Sequence, residues 1–374
     1  MRPSWIEVDL DAVEHNVQQL LATISTAELC AVVKADGYGH GDVPVAEAAI
    51  RGGATWLAVA LVEEGIRLRE ADINVPILVL SQPSLSDAND VVEYQLTPTI
   101  YSVEFAYAVA GAAQQASTTP YAVHLKLDTG MHRVGAAPVE AFTVARAVEH
   151  DERLTLQGVF THFSVADSDP DYTTRQNRAL ENFVEVLGSE NIRPEIVHAA
   201  NTAGAIDMPK TRHGLCRVGL GIYGLHPNAN MHDRLDLVPA MRVVSEVVHT
   251  QDLPVDARPS YGRTRSLSAA GRVVTVPIGY ADGVSRQLTE TGSVLINSKR
   301  YSLAGTITMD MLVVDVGTDD VKVGDEVVLL GVQGADAITA DEWAELLGTI
   351  SYEVVCGFGP RLPRRYVRRS NGDQ

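Results

Sequence analysis

The segment VVKADGYGHG, at residues 32–41, ends a short apolar run on a lysine and follows it with three glycines, a tyrosine and a histidine. The run LCAVVKA, which contains this lysine, is the first of eight apolar runs that alternate with helical patterns between about residues 29 and 224. Such alternation is typical of βα units. A lysine at the end of a predicted strand is either exposed to solvent or takes part in the chemistry of a site.

The seven later apolar runs complete the pattern of the first part of the chain. They are WLAVAL, PILVLS, LTPTIY, YAVHLKLD, LQGVFTHF, EIVHAA and CRVGLGIYG. Candidate helices are Asp11–Ile24, with Asp9 or Asp11 as its N-cap, then Val43–Arg51, Glu63–Ala71, Ser84–Tyr94, Val103–Gln115, Pro138–Glu149, Tyr172–Leu187 and a shorter one after Asn201. Eight strands with intervening helices fit a (β/α)8 TIM-like barrel, and a doubly wound open sheet is the alternative.

The pattern changes after about residue 232. Segments such as RVVTVPIGYA and MDMLVVDVG are short and alternating, and Gly, Asp and Pro separate them, which predicts mainly β structure. We therefore expect an α/β protein with an N-terminal (β/α)8 barrel at residues 1–232 and a mainly-β C-terminal domain at residues 233–374.

Composition limits the classes of partner. The 48 acidic and 30 Lys or Arg side chains give a formal charge of −18, spread along the 374 residues, which argues against nucleic acid and anionic membrane surfaces. The one basic run, RLPRRYVRR at Arg361–Arg369, is expected to be a solvated final strand or tail.

The sequence also lacks signals for export or metal binding. The first residues carry no apolar signal region, and no later window offers the roughly 18 apolar residues of a spanning helix, so we expect a cytoplasmic protein. Cys30, Cys216 and Cys356 are far apart and are interpreted as buried thiols, with neither a disulfide framework nor a metal site.

Polar side chains follow five of the predicted barrel strands. These are Lys34, Lys126 with Asp128, His162, His198 with Asn201, and Arg217. A barrel brings the carboxyl ends of its strands to one rim, where its active site lies. A lysine amine in such a set suits carbonyl chemistry with pyridoxal phosphate, which needs a lysine, a partner for its pyridine nitrogen and donors for its phosphate. Taken singly, each residue is more typical of a solvated lysine or a structural histidine.

The motifs of the whole chain resemble the successive signatures of alanine racemases, fold-type III pyridoxal phosphate enzymes. They are AVVKADGYGHG, LKLDTGMHRVG, GVFTHFSVAD, VHAANTAG, CRVGLGIYG, SYGRT, IGYADG, GTITMDM and SYEVVCG. The resemblance implies a cytoplasmic isomerase that interconverts L-alanine and D-alanine and supplies D-alanine for peptidoglycan. It also implies a homodimer in which Tyr261 of one subunit reaches Lys34 of the other.

The resemblance assigns two catalytic bases. Lys34 would carry the cofactor as an internal aldimine and act on the D face, and Tyr261 would act on the L face. His162 and Arg217 match a hydrogen-bonded chain to the tyrosine, and we expect their positive field to favour its phenolate. Arg217 would also face the pyridine nitrogen and leave it largely unprotonated, since a guanidinium with a pKa above about 12 keeps its proton.

Further residues of the family site have counterparts here. Arg133 would contact the cofactor phenolic oxygen and the substrate carboxylate, and the backbone amide of Met309 would contact that carboxylate too, with Asp310 orienting the loop. Lys126 is expected to be carbamylated, which removes its repulsion from Arg133. The alternative is an ordinary amine paired with Asp128.

The resemblance also supplies cofactor-binding and entrance residues. The cofactor-binding residues beyond those already named would be Tyr38, Asn201, Thr202, Gly219, Leu220 and Tyr352, with His198 in support. The entrance would be formed by Tyr280, Arg286 and Asp167. Thr306 stands where many relatives have an arginine, so the charge network of the entrance is in doubt.

Three other functions remain open at this stage. A racemase of broader amino acid range would use the same residues, and a panel of alanine, serine, lysine and arginine would separate it from an alanine enzyme. A non-catalytic barrel protein that binds pyridoxal phosphate would lack the β-rich half. A decarboxylase of the same fold type would need a carboxylate near the pyridine nitrogen, where this chain has Arg217.

Overall fold

The computed structural model of the protein describes residues 2–368. By their internal contacts these residues form two compact units. The barrel unit consists of Ala12–Gly37 and Asp42–Val238, and the β-rich unit of Met1–Asp11, Tyr38–Gly41 and Pro239–Gln374. Each unit is described separately below.

The barrel unit is built on eight parallel strands. They are Glu28–Val32, Trp56–Val59, Ile77–Val79, Thr97–Ile100, Tyr121–Lys126, Leu154–Phe160, Ile196–His198 and Leu215–Val218. The first strand pairs with both the second and the eighth, and the first seven pair in chain order. The N–H groups of Gly214 and Arg217 donate to the carbonyls of Val197 and Ala200, which joins the eighth strand to the seventh. The predicted barrel is therefore confirmed, and the open sheet was wrong.

Helices follow the strands as the sequence indicated. They are Leu10–Ile24, Asp42–Arg51, Val62–Glu70, Ala88–Glu93, Val103–Ala116, Pro138–Glu149, Pro170–Ser189 and Thr202–Asp207, with 3₁₀ turns at Leu85–Asp87, Pro209–Thr211, Leu220–Tyr223 and Ala229–Arg234. Asp9 precedes the first helix, and its carboxylate accepts the N–H of Asp11, as an N-capping residue does. Residues 84–94, predicted as one helix, form a 3₁₀ turn and a separate short helix.

The barrel strands are short, apolar and rich in β-branched residues, because both of their faces are covered. All four residues of Trp56–Val59 are buried, as are all four of Leu215–Val218. Polar exceptions in the interior are His124, His198 and Arg217, which the barrel encloses almost completely. Buried polar groups of this kind need hydrogen-bond partners, and the partners of these three residues belong to the candidate site described below.

The β-rich unit contains two sheets. The larger has the strand order Lys299–Ser302, Ser293–Ile296, Glu326–Gln333, Met241–Glu246, Ser4–Asp9 and Arg364–Val367, with Asp336–Ile338 paired to Glu326–Gln333. The smaller has the order His249–Leu253, Gly271–Val276 and Leu312–Gly317. Helices Ala340–Leu347 and Ser351–Cys356 and 3₁₀ turns Tyr261–Arg263, Tyr280–Asp282 and Arg286–Thr289 complete it.

The N-terminal strand belongs with the β-rich unit rather than with the barrel that follows it in sequence. Ser4–Asp9 pairs antiparallel with Met241–Glu246 and parallel with Arg364–Val367. The basic run near the C-terminus thus supplies a strand of this sheet, and its last residue, Arg369, lies outside the described residues.

Two further observations concern the sequence expectations. Cys30 and Cys216 are buried, as expected, but Cys356 is exposed because it ends a short surface helix. Within residues 2–368, no helix has the length and apolar character needed to cross a membrane.

Candidate active site

Lys34 lies two residues after the end of the first barrel strand and begins an unusual turn. Ala35, Asp36, Gly37 and Tyr38 follow it with φ of 53°, 53°, 59° and 52°, so four consecutive residues adopt the left-handed conformation. Only glycine does so readily, and each other residue costs about 1–2 kcal/mol in this region. Surrounding contacts must therefore hold the chain in this conformation.

Arg217, on the eighth barrel strand, is only 3% exposed and makes hydrogen bonds in several directions. Its Nη1 lies 2.7 Å from Nδ1 of His198. Its Nη2 lies 2.7 Å from the carbonyl oxygen of Thr161, 3.1 Å from that of Ala199 and 3.3 Å from Nδ1 of His162. Burial lowers the pKa of Arg217 from 12.5 to about 10, still far above neutral, so the side chain remains a cation.

A chain of hydrogen bonds runs from Arg217 into the barrel. Since Arg217 donates to Nδ1 of His198, the proton of His198 is on Nε2, which donates to Nδ1 of His124 at 2.9 Å. His124 then carries its proton on Nε2 and donates to Oε1 of Gln157 at 3.3 Å. This order of donors requires both histidines to be neutral.

The pKa values of these histidines agree with that order. Burial, together with the nearby Arg217, holds the pKa of His198 well below its usual value. Burial lowers the pKa of His124 from 6.5 to about 4. The ring of Phe160 stacks on His198 with centroids 4.5 Å apart, and the Arg217 guanidinium lies 4.9 Å from the same ring. An aromatic face so close to a desolvated guanidinium stabilises its charge.

Lys126, at the end of the fifth barrel strand, is buried, and its Nζ donates to the carbonyl oxygen of Leu80 at 2.9 Å. Burial, and then the charges of Arg217, Arg133 and Lys34, lower its pKa from 10.5 to about 7. Asp128 raises the pKa of Lys126, but by less than burial and these cations lower it. Its Oδ1 accepts three backbone N–H groups and its Oδ2 faces His132, so it orders the loop that follows the strand.

The barrel rim therefore concentrates basic side chains. Lys34, Lys126 and Arg133 all lower the pKa of the half-buried His162, behind the larger effects of burial and of Arg217. The chain as a whole has a formal charge of −18. A cluster of cations in an acidic protein is electrostatically unfavourable alone and favours an anionic ligand.

Two helix starts in the barrel unit present further donors. Thr202 is buried and begins the helix Thr202–Asp207, whose N-cap is Asn201. Gly219 precedes the 3₁₀ turn Leu220–Tyr223, and the N–H of Gly221 lies 3.4 Å from the Thr202 hydroxyl. Backbone N–H groups at helix starts have no partner within the helix and commonly bind phosphate.

Tyr261, in the β-rich unit, lies in the turn Tyr261–Arg263 and is 75% exposed, so it is not a packed strand tyrosine. The turn has φ of 65° at Ser260 and 75° at Gly262. The hydroxyl of the buried Thr306 donates to the Tyr261 carbonyl oxygen at 2.8 Å. Thr306 thus holds the backbone of Tyr261.

Met309 is exposed, and its loop in the β-rich unit is fixed from two sides. Its carbonyl oxygen accepts the N–H of Ala281 at 3.1 Å, next to the exposed Tyr280. Asp310 binds Nη2 of Arg361 at 2.6 Å. The structure thus supports a loop-orienting contact for Asp310.

The other predicted residues are divided between the two units. In the β-rich unit the rings of Tyr38 and Tyr352 have centroids 6.2 Å apart, and burial raises the pKa of Tyr38. Arg286 is exposed in the same unit. Asp167 is exposed in the barrel unit, where its carbonyl oxygen accepts from Asn228.

The sequence interpretation missed two buried residues near the site. His124 occurs two positions before Lys126 on the same strand, and the period of two was a signal that both point to the same face. Glu64 occurs near the start of the helix Val62–Glu70 and binds the N–H of Ala35, directly after Lys34. A glutamate in the first turn of a helix gave no distinctive signal.

Comparison with known proteins agrees with this arrangement. The family models for the alanine racemase N-terminal and C-terminal domains match residues 8–227 and 240–366. The chain is 41% identical to an alanine racemase of Symbiobacterium thermophilum over 98% of this chain and 97% of that one. The structure of an alanine racemase from E. faecalis superposes with a TM-score of 0.90 at 39% identity, covering 98% of both chains.

A racemase with another substrate name has the same fold. The structure of a histidine racemase from Leuconostoc mesenteroides subsp. sake superposes with a TM-score of 0.90 at 27% identity, again over 98% of both chains. The family models together span most of the sequence, and the identity to the alanine racemase is considerably higher. This chain belongs to the alanine racemase family, whose members are pyridoxal phosphate-dependent isomerases.

Proposed function

We propose that this protein interconverts L-alanine and D-alanine, using pyridoxal phosphate held at the barrel rim. The observation that carries the proposal is the cluster of basic side chains around Lys34, which includes Arg217, Lys126 and Arg133. The phosphate of the cofactor and the carboxylate of an amino acid are both anions, and a charge-assisted guanidinium contact suits each. Binding them would offset the repulsion within the cluster.

The residues present fit this cofactor. Lys34 would supply the amine for its aldehyde, and Arg217 would face its pyridine nitrogen. Its phosphate would be held by donors from the two helix starts and by tyrosine hydroxyls, namely Tyr38, Thr202, Gly219, Leu220 and Tyr352, with Asn201 in support. When bound, the cofactor supplies stabilisation of the negative charge that forms at Cα as its proton leaves.

Two bases on opposite faces give the most direct route to racemisation. Lys34 would remove or return the proton on the D face, and the hydroxyl of Tyr261 would do so on the L face. A free tyrosine has a pKa of about 10 and needs assistance as a base. His162 would provide it as a neutral donor: its Nδ1 faces Arg217, so its proton is on Nε2. The positive field expected from this pair thus comes from Arg217, because the pKa of His162 is too low for a cation.

We also propose that the site is completed by a second copy of the chain. The support is the exposure of Tyr261, Tyr280 and Met309 in the β-rich unit, which leaves all three available to a partner. Isologous pairing of two subunits would build two equivalent sites. The product D-alanine would supply peptidoglycan synthesis, in the cytoplasm.

Replacement of Tyr261 by phenylalanine tests the two-base mechanism. In D₂O, Y261F should lose exchange of the α-proton of L-alanine by at least about 100-fold, the low end of what a general base contributes. Exchange from D-alanine should continue, because Lys34 acts on that face. The control is Y107F, since Tyr107 is an exposed tyrosine on the helix Val103–Ala116. Equal loss for both enantiomers, or no loss, would contradict the assignment.

A broader amino acid range is the second candidate, favoured by the fold shared with a histidine racemase. The residues that bind the α-amino acid core do not distinguish the side chain. Racemisation of alanine, serine, lysine, arginine and histidine, compared by kcat/KM, separates the two candidates. We expect alanine to exceed the others.

A further inference from the structure

We infer that Glu64 is a positioning residue for Lys34, acting through the backbone of the residue that follows the lysine. Its side chain is buried, and Oε1 accepts the N–H of Ala35 at 2.7 Å. Its Oε2 accepts the N–H groups of Ala60 and Leu61 at 2.8 and 3.1 Å. One carboxylate therefore ties the end of the first barrel strand to the end of the second. The inference rests on the proposed role of Lys34.

The charge of Glu64 matters because all three of its partners are donors. An ionised carboxylate accepts through both oxygens, whereas a glutamine would direct an NH₂ donor at one of these N–H groups. The three hydrogen bonds to Glu64 are partly buried, and loss of a hydrogen bond to a charged acceptor is unfavourable. Without this hydrogen bond Ala35, which has φ of 53°, would favour a conformation outside the left-handed region.

A second brace from the same helix acts on the turn through Asp42. Arg67, three residues after Glu64 and on the same helix face, binds Oδ2 of Asp42 through Nη2 at 2.6 Å and Nε at 3.0 Å. The N–H of Asp42 in turn lies 3.3 Å from Oδ1 of Asp36. The helix Val62–Glu70 thus contacts the turn directly at Ala35 and through Asp42 at Asp36, the two residues that follow Lys34, and Lys34 takes its direction from that turn.

The test compares Glu64→Gln with Glu63→Gln, an exposed glutamate at the adjacent position of the same helix. Two readouts are independent of racemisation: hydrogen exchange of the peptide containing Ala35 in the cofactor-free protein, and the Kd for pyridoxal phosphate from its absorbance. We expect Glu64→Gln to change each by about tenfold, as loss of one hydrogen bond to a charged group predicts. Glu63→Gln should match the wild-type protein.

A rescue variant separates positioning from general support of the fold. Glycine adopts positive φ without penalty, so Ala35→Gly should restore most of the cofactor affinity lost in Glu64→Gln, although it cannot restore the hydrogen bond. If Glu64→Gln does not fold alone, the double variant Glu64→Gln with Ala35→Gly and the single variant Arg67→Met are measured instead. Arg67→Met should raise the Kd for pyridoxal phosphate by about threefold, because the second brace is lost.

The outcomes are distinct. The inference would be overturned if Glu64→Gln had the Kd for pyridoxal phosphate and the hydrogen exchange of the wild-type protein. It would also be overturned if Ala35→Gly did not restore the cofactor affinity lost in Glu64→Gln. In the case where Glu64→Gln does not fold, wild-type Kd in Arg67→Met would overturn it. A wild-type protein that does not bind pyridoxal phosphate through Lys34 would instead overturn the proposed function, and borohydride reduction followed by peptide mapping identifies the labelled lysine directly.

Discussion

Replacement of His124 by asparagine should remove much of the acid sensitivity of the barrel. Asparagine can place its Oδ1 where Nδ1 of His124 lies, and so accept the Nε2–H of His198. It cannot be protonated in the acid range. Gln157, the last and partly exposed member of the hydrogen-bond chain, loses the donor Nε2–H of His124, which water can replace.

The magnitude follows from the pKa of His124, which is 6.5 for a free side chain and about 4 in the folded protein. Between these values the unfolded chain binds a proton that the folded protein does not. The contribution of neutral His124 to stability is therefore fully present above pH 6.5 and is lost as the pH falls through 4. A difference of 2.5 pKa units corresponds to about 3 kcal/mol.

The assay is urea denaturation at several pH values between 7.5 and 4, at fixed protein concentration because the unfolding of the proposed dimer would depend on that concentration. Between pH 6.5 and 4 the wild-type protein should lose about 3 kcal/mol more than H124N. Thr99→Val is the matched control, since Thr99 pairs with His124 in the barrel sheet. Its buried hydroxyl has no hydrogen-bond partner within the described part of the chain, so its removal should stabilise the protein by about 1 kcal/mol without changing the pH slope.

An unchanged pH slope in H124N would refute the assigned order of donors. It would mean that His124 is not held neutral by burial, or that another group compensates for it. The charged Arg217 lowers the pKa of His124, and His124 bonds to the titratable His198 and the neutral Gln157. A lower stability of H124N at every pH, with the slope reduced, agrees with the prediction because a smaller side chain also leaves a cavity.

Two further predictions concern charges near the proposed substrate. Bicarbonate should raise the melting temperature of the wild-type protein but not that of Lys126→Met. Burial leaves much of the Lys126 amine neutral near pH 7, and a neutral amine can form a carbamate. Equal responses of the two proteins in thermal unfolding would contradict carbamylation. Arg361→Met should raise the KM for alanine about threefold with little effect on kcat, because Arg361 holds Asp310 beside Met309 through a surface ion pair, and such pairs contribute little. Steady-state kinetics showing a change in kcat alone would contradict that role.

The barrel was predictable because each strand is short, apolar and followed by a helix. The apolar runs LCAVVKA and WLAVAL, at residues 29–35 and 56–61, were predicted to form strands, and the structure has strands at Glu28–Val32 and Trp56–Val59. The N-terminal strand Ser4–Asp9 was missed, because its partners lie more than 200 residues away and only tertiary pairing shows where it belongs. Local patterns carry no information about such a distant partner.

The placement of the candidate residues followed from the same pattern. Lys34, His162 and Arg217 were predicted at the carboxyl ends of barrel strands, where strand ends meet at one rim, and the structure has Lys34 and His162 just after strands and Arg217 within one. The left-handed turn after Lys34 could not be foreseen, since Ala35 and Asp36 are not residues that favour positive φ. The N–H of Ala35 binds Glu64, and Asp36 binds Asp42, which Arg67 holds. Both Glu64 and Arg67 come from the helix after the second strand, so local sequence around Lys34 does not indicate these contacts.

The charges of the rim connect stability with function. Burial, and then the charges of Arg217, Arg133 and Lys34, lower the pKa of Lys126 to about 7, so part of this shift reflects how these cations repel a further proton. That repulsion destabilises the protein without a ligand, as residues gathered for function often do. An anion bound among them would stabilise the folded state and raise the proton affinity of Lys126 or of its neighbours. Binding of phosphate and carboxylate groups should therefore be coupled to proton uptake at the rim, and the same clustering that costs stability prepares the site for its anionic ligands.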